Sequence, residues 1–262
     1  MTNGIDKLTS SLGNAIQTVP DLYDDAFKST TQETGKTLAL IPRTINAALE
    51  PLRKWIAQKE YNVAETEKLL ASKLENVTPE KIVTPEAYVA VPAFQAISYA
   101  MDSEELRNLY ANLLAKAMNT DTKNNVHPAF VDVIKQLSPI DCLVFKTIME
   151  REINPIINLI YKNNEGIFHV IISHVSDIDV ASTEIICTSI DNLIRQGLIN
   201  IPTDVYYTNE KIYDVILNSN YYHSQEENYP TLENGYKLSH QKRIINKTNF
   251  GTSFYNICVA DL

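Results

Sequence analysis

The side chains best able to do chemistry are scattered along this chain rather than set in patterns. Cys142, Cys187 and Cys258 lie far apart in apolar helical contexts. An odd number of cysteines without framework spacing points to buried thiols and a reducing compartment. His169 and His174 stand five apart on a predicted strand, so alternation sends them to opposite faces. His127, His223 and His240 have no Cys, His or carboxylate at ligand spacing. His127 precedes Pro128 and reads as a residue that caps or packs a helix start. Gly35-Lys36-Thr37 echoes the end of a phosphate loop, but the upstream glycine and the preceding strand are missing. No Gly-x-Ser-x-Gly is present. Asp24-Asp25 and Glu104-Glu105 fall at helix starts, where the helix dipole favours carboxylates. The residue chemistry therefore predicts no catalytic residue, no cofactor and no metal, and a protein that is not an enzyme.

One pattern stands apart. Of 14 tyrosines, seven fall between Thr203 and Tyr236: Tyr206, Tyr207, Tyr213, Tyr221, Tyr222, Tyr229 and Tyr236. Tyrosines offered from a polar loop suit a protein-binding surface, because each gives much contact area at little entropic cost. The first six are the candidate partner-binding residues. The plain alternative is a loop packed onto its own domain, and the sequence leaves the two balanced.

The elements that must carry these residues fall into two unlike halves. Residues 1–137 read as a helical bundle. Ile5 to Val19 is a short amphipathic helix. Gly35 to Lys59 is the longest helical stretch, with Pro42 and Pro51 expected to kink or divide it. Its few cations, Arg43, Arg53 and Lys54, with Trp55, permit a membrane-surface reading. Glu50 among them favours a core helix instead. Val63–Leu74 is the next helix, and Thr78-Pro79-Glu80 and Thr84-Pro85-Glu86 are start signals in tandem. Asp102 is placed to cap a helix from Ser103 with Glu105 completing a capping box. Leu106, Leu109, Tyr110, Leu113, Leu114 and Ala117 form its apolar face. Ser138-Pro139, with Asp141 three residues after the serine, repeats the device.

Residues 138–262 read as a winged-helix-like α+β domain. Ile156–Tyr161 and Ile167–Val175 form a hairpin about Asn163–Gly166. Asp177 or Asp179 caps a helix that reaches Gln196, and Gly197 stops it. A strand at Leu198–Ile201, a later one at Arg243–Lys247 and a closing helix complete the unit. Thr203–Tyr236 is an insertion with a short helix around Ile212–Leu217. The whole fold is expected to be mainly α.

The runs LLAKAM (Leu113–Met118), VHPAF (Val126–Phe130) and QLSPIDCLVF (Gln136–Phe145) resemble the abortive infection alpha family of bacterial phage-defence-associated proteins. The block Thr248 to Cys258 is similar to that family's closing Thr-x-Phe-Gly-x-x-Phe pattern. The resemblance spans about Gly35 to Val259, and its motifs are structural. It implies a component of bacterial antiviral defence acting by abortive infection.

Charge sets the partners. Residues 1–137 hold 14 Lys+Arg against 17 Asp+Glu, and 138–262 hold 9 against 15, within a net charge of −9. Neither half is basic, and phosphate backbones need a positive surface. The helix that would enter a groove, Ala181–Arg195, shows Glu184 and Asp191 beside a single cation. Nucleic acid is therefore not the expected partner, although a DNA-binding regulator is one alternative reading. A membrane-acting effector using 35–59 is another. No apolar run approaches the ~20 residues of a membrane span, and MTNGIDKL carries no leader-like apolar core. The expectation is a cytoplasmic protein that holds a protein partner or senses a phage product.

Overall fold

The computed structural model describes residues 34–50, 63–97, 99–100, 102–232 and 235–261. The expected helix at Ile5–Val19, and the part of the 35–59 helix that carries Arg53, Lys54 and Trp55, lie outside them. The fold is mixed α+β and mainly helical, with a small antiparallel sheet. Among the described residues, no helix is long and apolar enough to cross a membrane. Two compact units emerge, one from the described residues of 1–99, 110–128 and 261–262, the other from 100–109 and 129–260.

In the first unit, helix α1 (Thr34–Leu49) runs through Pro42 rather than breaking there. Helix α2 covers Val63–Lys73, and helix α3 (Ala87–Ile97) likewise keeps Pro92 inside. An interior proline costs roughly 3 kcal/mol. In α3 the six buried side chains Val89, Ala90, Ala93, Phe94, Ala96 and Ile97 outweigh it. Helix α1 ends two residues before Pro51, which disfavours helical dihedrals in the residue before it. A short bridge pairs Ile82 with Asn119, and Lys81 meets Asp121 at 2.6 Å.

Helix α4 (Glu104–Ala117) is capped by Ser103, whose hydroxyl accepts from the Leu106 amide at 3.3 Å. The expected cap at Asp102 is thus one residue early. A serine one position later reaches the amide of the third helical residue, which Asp102 would overshoot. From Leu109 to Asn119 every residue is buried. The polar Asn112, Lys116 and Asn119 are among them, so the apolar face read from the sequence widens to the full circumference.

The second unit holds helices α5 (Ala129–Lys135) and α6 (Pro139–Glu150). The predicted capping box is present. The Ser138 hydroxyl accepts from the Asp141 amide at 3.1 Å, and Asp141 Oδ2 accepts from the Ser138 amide at 2.7 Å. Strands β1 (Pro155–Lys162) and β2 (Phe168–Ser176) form the expected hairpin. Its turn is closed by the Asn163 side chain, which accepts from the Glu165 and Ile167 amides. Helix α7 (Thr183–Arg195) starts from Ser182, not from Asp177 or Asp179. Asp177 is instead held 2.8 Å from Arg151. Gly197, at φ +71°, ends the helix. Its amide reaches the Ile194 carbonyl and the Leu198 amide the Leu193 carbonyl, the paired bonds of a Schellman stop.

Past a short strand β3 (Ile199–Asn200), the insertion holds a 3₁₀ turn at Glu210–Tyr213. It continues through the short helices α8 (Asp214–Leu217) and α9 (Asn220–Asn228). Strand β4 (Lys237–Ile244) then pairs along its whole length with β1, giving the order β2-β1-β4. The sequence pattern predicts only a strand from Arg243. Lys237–Arg243 lacks the β-branched residues that mark a strand, and its pairing with the buried β1 supplies the order that propensity does not. Strand β5 (Asn246–Lys247) pairs with β3.

Helix α10 (Asn249–Phe254) closes the unit and passes into a π turn at Tyr255–Val259. Thr248 caps it, accepting from the Gly251 amide at 2.8 Å. A side chain at Gly251 would put its Cβ 1.9 Å from the Leu198 carbonyl oxygen, so only glycine fits. Phe254 packs on Phe130 at 5.4 Å and on Phe145 at 5.7 Å between ring centroids. The two sequence blocks that carry the resemblance therefore meet in one aromatic core.

Candidate functional site

The insertion is fixed from Tyr213 outward. Asn209 caps the 3₁₀ turn by accepting from the Lys211 amide, and the turn drives Tyr213 into the core. There it joins Ile157, Leu159, Val175, Cys187 and Ile216. Its hydroxyl accepts from the Tyr207 amide and donates to the Arg243 carbonyl, both at 3.0 Å. One phenol thus ties the insertion to strand β4. Burial raises its pKa, so the proton stays in place. The Tyr207 hydroxyl in turn accepts from the Asn154 amide at 3.1 Å.

The other tyrosines follow suit, with one exception. Tyr221 and Tyr222 pack half-buried against the same cluster. Burial, then the Glu184 charge, pushes the Tyr221 phenol up to about 12. Tyr222 faces His240 Nδ1 at 3.3 Å. Tyr229 and Tyr236 stack about Tyr161, whose hydroxyl donates to the Pro230 carbonyl. Tyr206 alone of the six candidates is exposed, at 58%. Tyr213 is inaccessible to any partner, and Tyr207, Tyr221, Tyr222 and Tyr229 anchor the insertion.

Beside Tyr206 opens a cavity of about 430 Å³, walled by Asp204, Glu210, His240, Gln241, Lys242 and Arg243. Lys242 Nζ lies 5.8 Å from the Tyr213 ring centroid and 2.7 Å from Glu210. Arg243 faces Asp204 at 3.7 Å. Asp204 sits in the left-handed region at φ +57°, which aspartate tolerates better than most residues. Burial, then the neighbouring Lys242 charge, lowers the His240 pKa and keeps the ring neutral near pH 7. Sequence reasoning missed this grouping. Its two carboxylates sit 32 to 39 positions from its cations, and only the docking of the insertion on strand β4, where the Tyr213 hydroxyl meets the Arg243 carbonyl, draws them together.

A second open cavity of about 710 Å³ runs along α7. Its polar groups are occupied among themselves. Asn192 donates to Asp141 and to the Gln136 carbonyl, each at 2.9 Å, and Arg195 donates to Asn192 and Gln136.

Burial pushes the Cys142 and Cys187 thiols up to about 12, with Asp141 and Asp191 adding to the effect. All three cysteines are buried and none is in a disulfide, and thiols raised as those of Cys142 and Cys187 are inert. His169 stacks on Tyr161 and Tyr236. His174 takes φ +66°. Its Nδ1 lies 2.9 Å from Asp191 but without hydrogen-bond alignment. Two register shifts divide His174 from His169, so the simple alternation argument does not hold there. His127 is exposed just ahead of α5. Among the described residues no group of three His, Cys, Asp or Glu could hold a metal.

The family model described as abortive infection alpha matches residues 58–258. The match begins after α1 rather than near Gly35, and it runs through both sequence blocks. No curated protein matches the chain, and no solved structure does.

Proposed function

The chain belongs to the abortive infection alpha family, and from that premise we propose that it is a non-enzymatic, cytoplasmic component of bacterial antiviral defence that works by protein–protein contact. The contact surface in this reading is the outer side of the insertion, and its partner is a host protein or a phage product. The observation that carries it is the exposure of Val205, Tyr206, Val215 and Leu232, all on the insertion. Large apolar side chains left in water on a segment otherwise tied down by its own tyrosines fit an interface better than a core. Three buried cysteines outside any disulfide fit a reducing compartment.

The finer reading of the second unit is a winged-helix-like fold used for protein contact. It is supported by the succession of α6, α7, the Gly197 stop and the β3–β5 pair. Against DNA as the partner stand Glu184 and Asp191 on α7. Backbone and Ser182 hydrogen bonds hold the Glu184 carboxyl below its usual range, so it stays charged facing any phosphate.

The test is a phage challenge of a surrogate host at low and high multiplicity, with the wild-type chain and with V205S/Y206A. Expected are protection at low multiplicity, culture collapse at high multiplicity, and roughly tenfold less protection from the variant at unchanged stability. Equal protection from the variant removes the insertion as the contact surface. No protection from the expressed wild-type chain counts against the defence reading itself.

A further inference from the structure

The cavity beside Tyr206 carries a charge pattern at odds with the rest of the chain. From Asn234 to Ala260 the sequence holds four Lys and Arg and no Asp or Glu, in a protein of net charge −9. Lys242 and Arg243 bring two of those cations to the cavity wall. Both are held by the fold, with side chains only 21% and 17% exposed. Their carboxylate partners are the opposite. Glu210 and Asp204 are 81% and 89% exposed, and they come from the insertion rather than from the sheet.

An ion pair with so exposed a partner adds little stability, because water screens it and the free side chain loses entropy. At 3.7 Å the Arg243–Asp204 contact is beyond hydrogen-bond reach, and it leaves the guanidinium fork open to a bidentate acceptor. A phosphate brings more charge and more acceptor oxygens than either carboxylate. The cavity volume falls in the range of small-ligand sites. Tyr206 adds an exposed aromatic wall of the kind that stacks on a base.

From this placement we propose that the cavity lined by Tyr206, His240, Gln241, Lys242 and Arg243 binds a small phosphorylated ligand of nucleotide size, with Asp204 and Glu210 as resident carboxylates that the phosphate displaces. The site is occupied from within until such a ligand arrives. Lys242 and Arg243 hold the phosphate, and Tyr206 faces the rest of the ligand. The assignment goes beyond the defence reading and does not depend on it.

The experiment is calorimetric titration of the full chain at low salt with ADP, pyrophosphate, adenosine and a hexaglutamate peptide. ADP and pyrophosphate bind, and adenosine binds at least about tenfold more weakly. D204N and E210Q each tighten pyrophosphate by about three- to tenfold, since each removes a competing charge. Asparagine also tolerates the left-handed backbone at position 204. K242Q weakens both phosphates by about tenfold or more. Y206A weakens ADP and leaves pyrophosphate unchanged. Failure of D204N/E210Q to bind either phosphate overturns the proposal, and this gain-of-binding variant does not rely on a folded K242Q. Hexaglutamate binding as tight as ADP overturns it in favour of a general dock for acidic peptides. These readouts measure binding directly, so their failure leaves the phage-protection result standing.

Discussion

The corner where Thr248–Gly251 meets Leu198 and the insertion between Thr203 and Tyr236 belong to the same unit, yet they use their residues in contrary ways. At the corner the residues that fix the geometry look inward. Thr248 caps, Gly251 yields to a carbonyl, and Phe254 fills the space between Phe130 and Phe145. The insertion uses most of its tyrosines to hold itself to the sheet, and then leaves Val205, Tyr206 and a charged cavity to solvent. A family signature and the surface proposed for partner contact therefore need not coincide. The residues that make the chain recognisable as a member of its family build the core. The surface lies on a segment whose tyrosines look alike in sequence but separate into anchors and one exposed ring.

That contrast can be tested at three points. The largest effect is expected at the corner. Gly251→Ala drives a Cβ into the Leu198 carbonyl and must move backbone, at a cost of about 3–4 kcal/mol. Urea unfolding reads it, and a loss below about 1 kcal/mol would show that the corner relaxes easily. Next comes the anchor of the insertion. Tyr213→Phe keeps the ring but strands the Tyr207 amide and the Arg243 carbonyl, for about 1–3 kcal/mol. If the phenol is what holds the insertion, this variant also speeds proteolysis between Thr203 and Tyr236 before the rest of the chain is cut. Simultaneous cutting throughout would mean that the insertion and the core unfold as one.

The smallest effect is a pH dependence. His240 faces Tyr222, Lys242 and Glu210, and its pKa in the folded chain lies below the ordinary 6.5, first from burial and then from Lys242. A depressed histidine pKa means that the unfolded chain takes the proton first. Its contribution is therefore complete above about pH 6.5 and is lost as pH falls through that value towards the folded pKa. The wild-type chain loses stability over this window relative to His240→Gln, which has nothing there to titrate. Parallel stability–pH curves for the two proteins would show that His240 plays no part.

Much of the helical order was legible in the sequence because its signals are local. Ser138 with Asp141, His127-Pro128, the Asn163–Gly166 turn and the Gly197 stop each act within one turn of chain, and each is where the pattern placed it. The misses share a cause, which is that a local signal yields to a stronger neighbour. Asp102, and Asp177 or Asp179, read as caps, but Ser103 accepts the first-turn bond of α4, and Ser182 takes the position ahead of α7 without a side-chain cap bond. Pro42 reads as a kink or a break, but α1 continues through it, and burial of the surrounding face holds α3 together around Pro92.

Local spacing and composition were enough for much of the helical order, the hairpin and the acidic balance, since each of these is written within a few turns of chain or in the residue totals, and the family was reached through the resemblance of its motif runs. Which tyrosines are anchors, where β4 runs, and that Asp204, Glu210, Lys242 and Arg243 share one cavity were settled only by the folded chain. A tyrosine's spacing does not record what lies opposite it. The folded chain does, through the Tyr213 hydroxyl that holds the insertion to Arg243 of β4 across a separation that carries no periodic signal.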